Sequence, residues 1–314
     1  MTSLLRLVRL PNLLIIILLQ CLIRYGLIIP ILAHFGYHPV LSHFRFGLLV
    51  LASVCMAASG YVINDYFDIK IDRINRPEKM VIDNGLQRRA AMFFHVILSF
   101  IGVFVGLFIS YIARKETWAL MFLLIPVFLW YYSTTFKKQG FIGNMIVAGL
   151  TALVTIVVVS LEFAMLVRVH GAPIINSEAC STAWFWTLGF AFFAFVTTLI
   201  REIVKDMEDV LGDEQGGCRT LPIEIGMKFS KIFVSILTCC TLLSIWALYF
   251  SFNILNSSVI TLWYIILLIT IPFILSMYLL YKSSTPKAYH RLNTFYKLIM
   301  LFGILFILIA GQLF

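Results

Sequence analysis

Charge is what this sequence has least of. Only 12% of its 314 residues are Asp, Glu, Lys or Arg, with 15 acids in all, about half the charged share of an ordinary soluble domain. The hydrophobic share is 61% and mean hydropathy is +0.98. No polar stretch is long enough to cover a soluble core, so nearly every element must lie in lipid and residues 1–314 form one membrane domain. The six cysteines include no CxxC pair, and Cys21, Cys55, Cys239 and Cys240 sit inside apolar runs. That pattern fits buried small hydrophobes better than a disulfide framework. The six histidines, His34, His38, His43, His95, His170 and His290, have no zinc spacing, and no Ser-His-Asp set is suggested. A basic soluble face for nucleic acid is also missing, although the formal net charge is +9.

Apolar stretches near 20 residues long fall at about 12–32, 46–64, 91–112, 117–135, 143–166, 183–203, 231–252, 258–281 and 294–314. Continuous Leu, Ile and Phe runs without period-2 alternation favour helices over a barrel, because each spanning segment must satisfy its own backbone. The fold class is an all-α membrane protein of nine transmembrane helices. Of the 24 Lys and Arg, 19 lie at the N-terminus or on the even-to-odd connections, leaving Arg24, Arg45, Arg114, Lys115 and Arg168 elsewhere. Basic short loops stay in the cytoplasm, so the N-terminus is expected inside and the C-terminus outside, in a cell (inner) membrane.

What charge there is collects in two places. Asn64-Asp65-Tyr66-Phe67-Asp68-Ile69-Lys70-Ile71-Asp72-Arg73-Ile74-Asn75-Arg76-Pro77 follows the second span, and Arg201-Glu202-Ile203-Val204-Lys205-Asp206-Met207-Glu208-Asp209-Val210-Leu211-Gly212-Asp213 follows the sixth. Asp65, Asp68 and Asp72 match Asp206, Asp209 and Asp213 in spacing. An offset of four helices preserves direction across the membrane, so a parallel repeat of four helices plus one is expected, with both acidic segments on the cytoplasmic face. At about 100° per residue, Asn64, Asp65, Asp68, Asp72 and Asn75 fall within about a 100° arc, and Glu202, Asp206, Asp209 and Asp213 within about 60°. Gly212 is a candidate helix terminator that would take Asp213 off that line.

Clustered carboxylates beside a low-dielectric bundle repel one another unless something cationic sits between them. Oxygen donors without nearby His or Cys suit a hard ion such as Mg²⁺, whose shell substrate phosphate oxygens commonly complete. The interleaved Lys70, Arg73, Arg76, Arg88, Arg201, Lys205 and Arg219, with Lys137 and Lys138 on the intervening connection, are matching counter-ions for a diphosphate.

These segments resemble the UbiA superfamily of intramembrane prenyltransferases. The likeness rests on Asn64-Asp65-x-x-Asp68-x-x-x-Asp72 with Asn75-Arg76-Pro77, on Asp206-x-x-Asp209-x-x-x-Asp213 and on the nine-span layout. Arg9-x-Pro11-Asn12, Tyr132-Ser133, Lys137 and Gly143-Asn144 support it. Lys205-Asp206-x-Glu208-Asp209-x-x-Gly212-Asp213 is most similar to the geranylgeranylglycerol-phosphate geranylgeranyltransferase branch. The resemblance implies that Asn64, Asp68, Asp72, Asp206, Asp209 and Asp213 bind Mg²⁺ and through it a prenyl diphosphate, with Asp68, Asp72, Asp209 and Asp213 as the catalytic set. Asp65 would either join them or support a neighbouring cation. Arg76, Arg88, Tyr132, Lys137, Arg201 and Lys205 would bind the diphosphate or the acceptor. The implied reaction is Mg²⁺-dependent transfer of a polyprenyl group to a lipophilic or phosphorylated acceptor in contact with membrane lipids. The alternative acceptor is a ring acid of quinone biosynthesis, 4-hydroxybenzoate or dihydroxynaphthoate. A transporter of Mg²⁺ or an organic anion is a rival from another class, but the spans hold almost no midplane acid apart from Glu162.

Overall fold

The computed structural model describes residues 2–314, apart from the side chains of Thr2, Ser3 and Lys79. Among the described residues nine helices are long and apolar enough to cross a membrane: α1 (Leu10–His34), α2 (His43–Phe67), α3 (Arg88–Ala113), α4 (Glu116–Lys138), α5 (Phe141–His170), α6 (Glu178–Gln215), α7 (Gly226–Ser251), α8 (Val259–Lys282) and α9 (Pro286–Gly311). There is no strand among these residues, only isolated bridges at Ile82 with Leu86 and Gln139 with Arg219. The protein is an integral multi-pass membrane protein, and large side chains such as Phe93, Phe100, Phe104 and Leu243 lie exposed on its outer surface.

Several helices outrun the apolar windows that announce them, because hydropathy reads only the hydrocarbon-facing part. The clearest case is α6, whose 38 residues reach about 57 Å at 1.5 Å each, well beyond a ~30 Å hydrocarbon core. Its last dozen residues carry the second acidic segment. Ser42, Ser177, Ser258 and Thr285 cap α2, α6, α8 and α9 through side-chain oxygens that accept a helix N–H.

Both α1 and α8 contain a stretch of π-helix, Leu22–Ile28 and Ile265–Thr270, ending two residues before Pro30 and Pro272. Proline cannot donate to the preceding turn, and a widened turn absorbs the clash. Near the first of these α9 comes closest: a Cβ on Gly311 would lie 1.8 Å from the Gly26 carbonyl oxygen. Only glycine permits that approach.

The packing closes a ring. Helix α2 packs on α1, α3 and α4; α5 packs on α6 and α1; α6 packs on α7 and α9; and α9 returns to α1. The connection after α2 forms a short helix, Ile69–Asn75, that lies against α6. The two acidic segments are thus brought together at one end of the ring.

At the opposite end a buried ion pair fastens the α1–α2 connection. Arg24 Nε lies 3.3 Å from Glu162 Oε2, with the side chains 1% and 0% exposed. Glu162 Oε1 accepts the Val40 and Leu41 backbone N–H groups at 2.9 and 3.0 Å. Arg24 also donates to the Leu41 carbonyl and stacks over Phe46. Each charge is therefore both paired and hydrogen-bonded, which burial requires.

Candidate active site

The first acidic segment is not one continuous helix. Helix α2 stops at Phe67, Asp68 adopts φ −84° and ψ 0°, and a second short helix begins at Ile69. The hydrogen bonds Asp68 N to Asn64 O (2.9 Å) and Asp72 N to Asp68 O (2.8 Å) carry the 64–68–72 stripe through the break. The flanks of the expected arc turn elsewhere. Asp65 accepts from Arg9 Nη2 at 2.7 Å, and Asn75 reaches across to α6.

There Asn75 Nδ2 donates to the Asp209 carbonyl at 3.0 Å, and Asn75 Oδ1 accepts the Gly212 N–H at 2.9 Å. A Cβ on Gly212 would sit 2.5–2.6 Å from the Asn75 amide atoms. Gly212 therefore does not terminate α6, which continues to Gln215; it is the contact point of the two acidic segments. Arg76 tightens the joint, donating to Asp209 Oδ1 and Oδ2 at 2.8 and 3.0 Å and lying 2.9 Å from Glu208. Glu208 in turn holds His290 Nδ1 at 2.8 Å. Asp209, expected as a metal ligand, thus has both oxygens engaged by Arg76.

The stripe centres are differently placed. Asp68, 5% exposed, accepts from Asn64 Nδ2 at 2.7 Å and from Lys137 Nζ. Asn64 Oδ1 is buried with no hydrogen-bond partner. Asp206 accepts from Asn144 Nδ2 at 2.8 Å. Burial, and then the neighbouring Asp68 charge, push the Asp72 carboxyl up to about 6. Burial likewise raises the Cys218 thiol, with Asp213 adding to it. Lys137, Asp68 and Cys218 share a small pocket, and Cys218 N–H donates to Asp213 O.

A cavity of about 260 Å³ opens inside the ring. Its depth is apolar, with Leu19, Met56, Phe122, Leu153, Phe190 and Ile304 on the wall, and its polar rim carries Arg9, Asn64, Tyr132, Arg201, Glu202, Lys205 and Lys297. Of the expected binding residues, Tyr132, Arg201 and Lys205 line this cavity, Lys137 holds Asp68, and Arg76 braces the joint. Arg88 lies apart: it pairs with exposed Asp83, Nη2 to Oδ2 2.6 Å, and holds that carboxyl below the usual range. Sequence reasoning left Lys297 and Asn144 out of the site residues. Asn144 sat in a quoted motif, whereas Lys297 carries no motif and becomes visible only when α9 closes the ring.

The arrangement offers hard oxygen donors at one end of an apolar chamber. The unpartnered Asn64 Oδ1 and the Asp72 carboxyl fit Mg²⁺ coordination chemistry. Among the described residues no three His, Cys, Asp or Glu side chains converge tightly enough to enclose an ion alone. Shared coordination with a phosphorylated ligand suits that spacing.

Residues 27–310 match the protein-family model of the UbiA prenyltransferase family. The chain belongs to that family. Its relatives include proteins named digeranylgeranylglyceryl phosphate synthase from Methanosphaera stadtmanae, 31% identical over 81% of this chain and 84% of that protein, and from Pyrococcus horikoshii, 34% identical over 70% and 69%. A solved structure described as giving structural and mechanistic insights into digeranylgeranylglyceryl phosphate synthase in membranes aligns with TM-score 0.62 and 27% identity, covering 99% of this chain and 98% of that one. The fold is shared also with a UbiA homolog from Archaeoglobus fulgidus bound to GPP and Mg²⁺, TM-score 0.55 at 16% identity, covering 98% and 99%. This UbiA-family chain is a prenyltransferase, and its nine-helix bundle is the family's fold.

Proposed function

We propose that this prenyltransferase moves a geranylgeranyl group from its diphosphate to geranylgeranylglycerol phosphate, making the product for which its relatives are named. The observation that carries the reading is the joining of an oxygen-rich, Lys137-braced centre to the mouth of an apolar chamber. Asn64, Asp68 and Asp72 on one side and Asp206 and Asp213 on the other would hold Mg²⁺. When bound, the ion supplies electrostatic stabilisation to the departing diphosphate. Lys137 and Lys205 add fixed positive charge there, where negative charge grows as the allylic C–O bond breaks. The chamber keeps water from the allyl cation, and the Tyr132 ring on the wall offers it a π face. The acceptor hydroxyl then forms the new C–O bond at that carbon, and its proton passes to a carboxylate or to the released diphosphate.

In this reading Asp209 acts through Arg76, fixing the joint rather than the ion. The acidic end faces the cytoplasm and the C-terminus lies outside, as the Lys and Arg distribution argues. The two D-x-x-D-x-x-x-D segments descend from the parallel repeat, so both halves contribute to one site.

The test is turnover of labelled geranylgeranyl diphosphate by purified protein with Mg²⁺, offered geranylgeranylglycerol phosphate, 4-hydroxybenzoate and dihydroxynaphthoate in parallel. Transfer to the glycerol phosphate, abolished in Asp68→Ala and Asp206→Ala variants that remain folded, is expected. Transfer to a ring acid alone moves the enzyme to the quinone branch. Near-normal turnover in either variant at saturating Mg²⁺ removes the shared-site reading.

A further inference from the structure

The basic residues near the acidic segments divide into two groups. Lys137 is committed to Asp68. Arg9, Arg201, Lys205 and Lys297 line the cavity itself, on α6, on α9 and just ahead of α1. Two acids answer them: Asp65 pairs with Arg9, and Glu202 pairs with Arg201. Lys205 and Lys297 have no ion pair or hydrogen bond among the described residues. The rim therefore carries a surplus of two positive charges before any ligand enters.

The surplus has a focus. Thr198, Arg201 and Lys205 follow one another at three and four residues on α6, so they stack on one helix face, and all three line the cavity. Thr198 is 2% exposed, and its Oγ1 is buried without a partner, an expense that a ligand oxygen would relieve. Lys297 faces this stripe from α9, within Coulombic range of Arg201, Arg9 and Lys205. Lys205 is also within range of Asp72 and Asp213, so it stands between this group and the metal-type centre. Arg201 lies five residues before Asp206, about 7.5 Å deeper along the helix axis.

We propose that Lys297, Arg201 and Thr198 form a separate subsite for the phosphate monoester of the acceptor, which selects a phosphorylated acceptor over a neutral or ring-acid one. The inference rests on the acceptor reading given above and adds its recognition element. Two anions a few ångström apart repel, and each needs its own counter-charge. Of the five aspartates Asp68, Asp72, Asp206, Asp209 and Asp213, Lys137 and Arg76 pair with Asp68 and Asp209, and the remaining carboxylates leave that centre negative, so a diphosphate there would need bound cations. The deeper group is positive already and takes a phosphate directly. A glycerol phosphate with its ester anchored there presents its neighbouring hydroxyl toward the prenyl carbon between the two sites.

The experiment measures equilibrium binding of geranylgeranylglycerol phosphate and of its dephosphorylated alcohol, without Mg²⁺ or prenyl diphosphate, to the wild-type protein and to Lys297→Gln, Lys297→Arg and Thr198→Val. Loss of one charge-assisted contact should weaken the phosphate ester about 10-fold or more in Lys297→Gln. Binding of the alcohol should change less than about twofold, and Lys297→Arg should restore the ester. Thr198→Val should weaken the ester in the same selective way by about threefold or more. Equal losses for ester and alcohol, or no loss for either, overturn the subsite. So does equal displacement of the ester by a bilayer phosphatidylglycerol, which would make this a membrane-lipid site, or by inorganic phosphate at equal concentration. A wild-type protein that binds the ester selectively yet prenylates only ring acids refutes the acceptor reading and leaves the subsite standing. One that binds ester no better than alcohol refutes the subsite whatever it prenylates.

Discussion

Replacing Gly212 by alanine isolates the joint between the two acidic segments. The new Cβ would stand 2.5 Å from Asn75 Nδ2 and 2.6 Å from Cγ and Oδ1, where ordinary contact is 3.4–4 Å. About 1 Å of displacement is needed to relieve it. Asn75 cannot swing aside freely, because its amide is pinned by the Asp209 carbonyl and the Gly212 N–H. Moving it gives up two hydrogen bonds of about 1 kcal/mol each. Alanine returns about 1 kcal/mol of helix propensity inside α6, so global stability should fall by only about 1 kcal/mol. Catalysis should suffer far more, since about 1 Å of misplacement between groups acting on one substrate can cost about 100-fold in rate.

The assay is single-turnover transfer at saturating Mg²⁺, paired with thermal unfolding in the same detergent. A Gly212→Ala protein with Tm within a few degrees of wild type and turnover reduced about 100-fold is the expected result. Adding Asn75→Ala removes the clash as well as the bonds, so the double variant should be no worse than the single, as coupled neighbours require. Turnover within about threefold of wild type for Gly212→Ala would show that the contact does not position the site. If glycine instead served to end the helix, alanine would extend it harmlessly.

Three other outcomes follow from the same structure. The Asp72 carboxyl stands near 6 in the metal-free protein, above its ordinary value, so its protonated form is favoured as pH falls through 6. Mg²⁺ must displace that proton, and apparent Mg²⁺ affinity, measured by calorimetry, should fall up to about tenfold per pH unit below 6 while proton release rises; equal affinity at pH 5 and 7.5 would contradict this. In a background with exposed Cys239 and Cys240 replaced by serine, a reporter cysteine at Gln139 should be labelled only from the cytoplasm and one at Ser257 only from outside; the reverse pattern inverts the topology. At the end of the bundle opposite the acidic segments, Glu162→Ala should cost about 3–5 kcal/mol by stranding buried Arg24, and Arg24→Met with Glu162→Met together should cost less than either alone; additive losses in thermal unfolding would deny the coupling.

How much of this was legible in the sequence depends on the range of the interaction. The nine spans are written in local hydropathy, and the acids of the site in a spacing repeated at Asp65, Asp68, Asp72 and Asp206, Asp209, Asp213. Helix ends were less legible, because α6 crosses from lipid into a polar region without any change in backbone preference. Gly212 shows the limit most clearly. From local sequence a glycine before Asp213 reads as a stop, whereas its role is set by Asn75, which is 137 residues away. Lys297 was unreadable for a related reason: a lone lysine in an apolar helix has no spacing to interpret until the ring closes and places it opposite Arg201. The first arc assumed one continuous helix; with the break at Asp68 its Asp65 and Asn75 edges turn to Arg9 and Gly212, and only Asn64, Asp68 and Asp72 stay on the stripe.

The division of charge along the ring explains why the acids sit where they do. Carrying five carboxylates into the hydrocarbon would cost a few kcal/mol for each one unpaired, and divalent ions exchange slowly through a dry site. The break at Asp68 and the overlong α6 raise the acids to the end of the bundle, where water and Mg²⁺ can reach them, while Asn64 and Tyr132 mark the descent into the apolar chamber. Only cations whose stems are apolar, Lys297 and Arg201, go deeper. A diphosphate released at the acidic end therefore faces the aqueous side, while the prenyl chain stays in the apolar chamber. The opposite end is locked by Arg24 and Glu162 onto the backbone at Val40 and Leu41, whereas the cavity's cationic rim lies toward the acidic end.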